Sequence, residues 1–142
     1  MSYSLSFSKA VLVVIFVADK MRQGQFEFLS AAKISEVLNI PKPTLVKILQ
    51  SLSAEGIIET KEGKMGGVRL MKDPQKISVL DILNAVEKGK SLFHTSYNIM
   101  AEGKRPNIAQ KSVTSVFDAA ERQLKNALAG KSIGDILADM NG

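Results

Sequence analysis

Apolar residues recur along this chain with two different periods, and the changes of period mark its parts. Leu5, Leu12, Ile15 and Phe16 keep helical spacing around the run "AVLVVIFVA" (Ala10 to Ala18). This predicts a first helix from about Leu5 to Met21, ending near the polar, glycine-containing "RQGQ". In "FEFLSAAKISEVLNI", Ser30 is placed to cap a short helix with Ile34, Val37 and Leu38 on one face, and Asn39 stops it. Leu45, Ile48, Leu49 and Leu52 then form an i, i+3, i+4, i+7 stripe, with Gly56 as the expected stop. Between these two helices lies "NIPKP". Its prolines lack a backbone N–H and suit a turn or the first turn of a helix.

Beyond Gly56 the period falls from about 3.6 to 2, the values of helix and strand. "IIET" and "GVRLM" read as two short strands around "KEGKMG", a glycine-bearing hairpin tip. Asp73-Pro74 is a turn. Ser78 caps the helix of "SVLDILNAV", with Asp81 at its third position as a carboxylate variant of the capping box. Residues 88 to 107 carry glycines, Pro106 and little periodicity, and read as a loop. From Asn107 to Ala129 the helical pattern returns, with Ile108, Val113, Val116, Phe117, Ala120, Leu124 and Leu128 on one side and Gly130 at the end. "SIGDILADM" closes the chain as a short helix capped by Ser132.

Composition adds limits. A chain of 142 residues with 45% apolar and 23% charged residues has the balance of a folded domain able to bury a core. It has no cysteine, so it can build no disulfide, zinc–thiolate site or cysteine-held iron–sulfur cluster, which fits a cytoplasmic protein. The run "AVLVVIFVA" behind Lys9 looks like the apolar part of a secretory signal but is too short to span a bilayer. Asp19, Lys20 and Arg22 follow it directly, so it reads as a buried N-terminal helix, with a cleaved signal as the alternative. No membrane partner is expected. Nineteen Lys and Arg against 14 Asp and Glu give a net charge of +5, which favours nucleic acid or another acidic partner.

Three helices followed by a two-stranded hairpin is the order of a winged helix-turn-helix. The helix after the turn enters the major groove with its N-terminal residues. "PKP" would fix the entry of that helix and present Lys42, Thr44 and Lys47 at its exposed end. Lys61 and Lys64 at the hairpin tip, and Arg69 on the return strand, would reach flanking phosphates or the minor groove. Gly63, Gly66 and Gly67 let that tip turn tightly or come close to another backbone. The bland alternative is an amphipathic helix with a solvated polar face. "GKMGG" lacks the spacing of a phosphate loop, and no nucleophile–base pair or metal spacing stands out, so an enzyme is not expected. The competing reading is a winged-helix module that binds protein. Against it, residues 30 to 72 carry seven Lys or Arg and four Glu.

The stretch "LVKILQSLSAEGIIETKEGKMGGVRLMKDPQKISVLDILNAVE", with the later "SLF" and "ALAGKSIGDIL", resembles the Rrf-two family of bacterial winged-helix regulators. The resemblance spans nearly the whole chain. It implies a homodimeric, sequence-specific DNA-binding transcriptional regulator, commonly a repressor, acting on a double-stranded DNA operator. Pro43, Thr44 and Lys47 would touch bases, and the long helix would cross its partner. The expected fold is mainly α with a small β-hairpin. It comprises a winged helix-turn-helix domain (1–88), a loop and possible sensor region (89–106), and a long C-terminal dimerisation helix with a last short helix (107–142). The chain departs from relatives that hold cluster-ligating cysteines or a redox thiol before the long helix, since "HTSYNIMAEGKRPNIAQK" has none. No cofactor and no metal site is therefore expected. His94 either helps bind a small effector or is simply an exposed or hydrogen-bonded histidine. The signal is then a non-covalent ligand, a change in protein concentration or chemistry at the six methionines, and an unknown small-molecule effector between the 90–106 loop and the DNA-binding domain is the favoured one.

Overall fold

Four valine and alanine positions of the first helix are completely buried, which is why so apolar a run folds inward. In the computed structural model, which describes residues 5–24 and 27–142, α1 (Leu5–Arg22) passes through the centre of the core on Ala10, Val13, Val14 and Val17. Each of these valines contributes about 1.5–3 kcal/mol by leaving water, and the alanine less. Leu5 and Leu12 lie on the outer side of α1, exposed. Gln25 of the polar stretch after α1 and Phe26 of the next segment lie outside the described residues. Among the described residues, no helix is long and apolar enough to cross a membrane.

The helix-turn-helix follows. Ser30 accepts a hydrogen bond from the Lys33 backbone N–H at the start of α2 (Ala31–Leu38), and Asn39 ends it in the left-handed region. Its core contact runs through Ile34, with Leu38 half-buried. Val37, expected on the same buried face, is 47% exposed. The reason is geometric: in an eight-residue helix only the i, i+4 edge reaches the core, and Val37 lies about 100° round from Leu38. Pro41 then caps α3 (Lys42–Ala54), whose Leu45, Ile48, Leu49 and Leu52 are buried as their stripe requires.

Strands β1 (Ile58–Lys61) and β2 (Gly67–Leu70) pair antiparallel, with Ile58 opposite Leu70 and Lys61 opposite Gly67. Leu29 adds a single antiparallel bridge to Val68. A 3-10 turn (Pro74–Lys76) leads to α4 (Val79–Glu87), where Ser78 and Asp81 bond each other's backbone N–H at 3.0 and 2.9 Å.

The long helix α5 is Lys104–Ala129, so it begins three residues before the expected Asn107. Pro106 falls in its first turn, where a missing N–H costs nothing, rather than ahead of the helix. None of its residues is buried. After it the chain turns back. The Ile133 N–H bonds the Ile77 carbonyl at 2.8 Å and the Val79 N–H bonds the Lys131 carbonyl at 2.9 Å. This docks α6 (Ile133–Met140) on α1 and the 3-10 turn. The sequence grouped this last helix with the dimerisation helix. In the structure Ile133 and Leu137 are also buried in the same core as α1 to α4, because the short helix has an apolar face that the core side of α1 covers.

Candidate nucleic-acid interface

The N-terminal half of α3 divides by face. Leu45 and Ile48 are 2% exposed and anchor the helix, while Lys42, Pro43 and Lys47 stand in solvent and Thr44 is half-buried. Two further residues lie outward that the sequence reading did not single out: Val46, 51% exposed, and Gln50. The signal was available. Positions 43, 46, 47 and 50 are the complement of the buried stripe at 45, 48, 49 and 52.

The hairpin packs beside α3. A groove of about 560 Å³ runs between them, lined by Val46, Gln50 and Ser53 on the helix and Thr60, Lys61 and Glu62 on the hairpin. The wing's backbone is shaped by its glycines. A Cβ on Gly66 would stand 2.0 Å from the Lys61 carbonyl oxygen, which no side chain could tolerate. Lys61 and Lys64 are exposed at the tip.

Arg69 is placed differently from those lysines. Its Nε donates to the Glu59 carboxylate at 2.6 Å, a second guanidinium nitrogen lies 3.8 Å from Glu27, and its Cζ stands 4.7 Å from the centre of the Phe28 ring. The Lys61 ammonium lies over the same ring at 5.5 Å. Phe28 thus gathers two cations of the wing, 33 and 41 positions further on, contacts that spacing along the chain could not show. Glu59 faces Arg69 across the strand pair.

The apolar stripe of α5 splits. Ile108, Val113 and Val116 are 55%, 41% and 63% exposed, and Ala120 is exposed. Phe117, Leu124 and Leu128 are half-buried against the chain's own residues. The loop before α5 supplies much of that cover. Phe93 stacks on Phe117, the Leu92 backbone N–H bonds the Glu121 carboxylate, and the Tyr97 and Thr114 hydroxyls bond at 2.7 Å. His94 is exposed in this loop. A cavity of about 370 Å³ lies between loop and helix, lined by Thr95, Tyr97, Thr114 and Asp118 among others.

A family model described as Rrf2, iron-dependent transcriptional regulator, matches residues 3–139. YwnA of Bacillus subtilis (strain 168), described as an HTH-type transcriptional regulator, is 30% identical over 95 residues, 67% of this chain and 71% of its own. YffB of Lactococcus lactis subsp. lactis (strain IL1403), similarly described, is 27% identical over 139 residues, 96% of this chain and 86% of its own. Among solved structures, T. potens IscR superposes with a TM-score of 0.72 at 18% identity, covering 99% of this chain and 88% of that one. CymR (YrzC), the global cysteine regulator of B. subtilis, gives 0.66 at 19% identity, covering 97% of each. These likenesses carry the winged-helix fold with its long C-terminal helix. The residues present do not fit an iron–sulfur cluster. The chain has no cysteine and one histidine, and among the described residues no three His, Cys, Asp or Glu side chains gather as a metal site.

Proposed function

The chain belongs to the Rrf2 family of transcriptional regulators, and on that premise we propose that it is a homodimeric repressor of the bacterial cytoplasm that binds a duplex operator. The observation that carries this reading is the division of α3. Its buried side is locked in the core, while Lys42, Pro43 and Lys47 project beside a basic hairpin. That is the arrangement a recognition helix needs to enter a major groove. Lys42, Pro43, Thr44 and Lys47 are assigned to the groove, and Lys61 and Lys64 to phosphates. Arg69 is assigned to the same wing, where its pairing with Glu59 braces the strands.

The open side of α5 supports a symmetric dimer. Ile108, Val113, Val116 and Ala120 form a surface that a second copy would cover, with Phe117, Leu124 and Leu128 behind it. Two recognition helices would then read half-sites about one helical turn apart. The effector site moves from the expected contact of the 90–106 loop with the DNA-binding domain to the loop's contact with α5, where the cavity lies. A small molecule in the cavity beside Tyr97 would act by favouring one setting of α5, and hence one spacing of the helices.

The test is selection of binding sites from a random duplex pool, with light scattering of the free protein. The expected result is a two-fold symmetric site and the mass of two chains. No enrichment of any duplex, even at low salt, would overturn the DNA reading and leave the protein-binding module. A one-chain mass at all concentrations would overturn the dimer.

A further inference from the structure

Helix α3 has a groove on each flank. The wing borders one, and Gln50 lines both. The second groove, of about 370 Å³, is lined by Lys47 and Ser51 of α3, Ser6 of α1, and Glu87, Lys88 and Lys90 at the end of α4. A helix lying in a major groove has a sugar–phosphate backbone on each side, with the groove about 12 Å wide. The wing accounts for one backbone only. Across α3 the corresponding position holds three lysines and two hydroxyls. Glu87 is 6% exposed and engaged within the chain, so the ammonium groups dominate the open surface.

The backbone at Lys88 points the same way. Among the described residues three non-glycine positions have positive φ, and two of them, Asn39 and Asn98, are asparagines, which tolerate it. The third is Lys88, at φ 51 and ψ 45, in the position after α4 where glycine is the usual residue. Its own N–H bonds the Asn84 carbonyl at 3.0 Å, and Gly89 follows at φ 79, so the left-handed turn is held firmly. A glycine would fit this turn better. The lysine contributes a charge that glycine lacks, beside Lys47 and Lys90.

We propose that Lys88 and Lys90, next to the base-contacting Lys47, form a second phosphate-binding flank that grips the duplex backbone opposite the wing. This rests on the DNA-binding reading above and adds residues to it that neither the helix-turn-helix nor the wing contains. The contacts are with phosphates, so they add affinity for any duplex and carry no base preference.

The experiment uses the full chain, a duplex selected by the parent protein, and a random-sequence duplex of equal length, with dissociation constants measured across a salt series. Lys88→Gly removes the charge while keeping a residue that favours the left-handed backbone, so its thermal midpoint should equal or exceed the parent's. Its slope of log affinity against log salt should fall by about 0.9 per bound protomer, the loss of one phosphate contact. Lys88→Gly with Lys90→Gln should lose about 1.8. The ratio of affinities for the two duplexes should stay unchanged. Lys72→Gln, an exposed lysine beside the separate cavity of Met21, Leu70 and Pro74, should keep the parent slope. A parent-like slope in the double variant would overturn the second flank while leaving DNA binding intact. A fall in the affinity ratio would overturn it too, by placing these lysines on base edges. If the parent itself binds neither duplex, the DNA-binding reading fails instead.

Discussion

Gly67 runs hard against Leu29. A Cβ on Gly67 would stand 2.3 Å from the Leu29 carbonyl oxygen, and the glycine has a φ of +143°. The next residue, Val68, exchanges both backbone hydrogen bonds with Leu29 at 2.8 Å. The start of the wing's return strand is thus fastened to the segment that starts the helix-turn-helix, and the position and stability of the hairpin depend on a glycine there.

Gly67→Ala should therefore destabilise the protein by about 1–3 kcal/mol, from backbone strain and forced separation of the two segments. Gly63→Ala, at φ +100° but with open space around it, should cost less, about 1 kcal/mol. Urea midpoints measure both. A parent-like midpoint for Gly67→Ala would show that the wing is not held through this contact.

Base and phosphate contacts separate by their salt dependence. Thr44→Ala and Lys47→Ala should lose about 1–3 kcal/mol of preference for the selected site over random duplex. Lys61→Ala and Lys64→Ala should weaken binding to both duplexes alike and flatten the salt dependence. Footprints indistinguishable from the parent's in all four variants would move the interface elsewhere.

The split stripe of α5 predicts two kinds of variant. Val116→Asp, at a position 63% exposed in the single chain, should leave each chain folded but halve the mass seen by light scattering. Phe93→Ala should instead lower thermal stability, because Phe93 stacks on Phe117 with centroids 4.6 Å apart. A two-chain mass for Val116→Asp would rule out this surface as the dimer contact.

The capping box of α6 predicts a pH dependence. The Ser132 backbone N–H, and next its side chain, hold the Asp135 carboxyl below its ordinary value. A lowered folded-state value means a contribution complete above the ordinary carboxylate range and lost as pH falls through the lowered value. Asp135→Asn should accordingly be less stable than the parent at neutral pH, with the gap closing in acid. Thermal denaturation across pH reads this, and parallel curves for the two proteins would contradict it.

Local order was legible along the chain. The period of the apolar residues placed six helices and a hairpin, because residues three, four or two apart decide which face an element buries. The Ser30, Ser78 and Ser132 caps were equally visible, since each bonds a backbone group three residues on. So was the exclusion of thiol chemistry, which needs only a count of cysteines. The basic end of α3 and the lysines of the wing could be named for the same reason.

What the tertiary structure decided is where elements far apart in the chain meet. The Ser132 hydroxyl bonds Gln75 across 57 positions, and Ile133 joins the core of α1, so the last helix belongs with the first. Arg69 carries the same charge as Lys61 and Lys64, yet only packing sets it between Glu59 and Phe28. The helical period drew one stripe on α5, and the fold of the 90–106 loop covered one edge of it and left the other open. Lys88 shares a groove with Lys47 only because the end of α4 comes to rest beside α3. Periodicity and capping are interactions between neighbours and can be read from them. Charge pairing, burial of a shared stripe and the flanks of a groove depend on distances that exist only once the chain has folded.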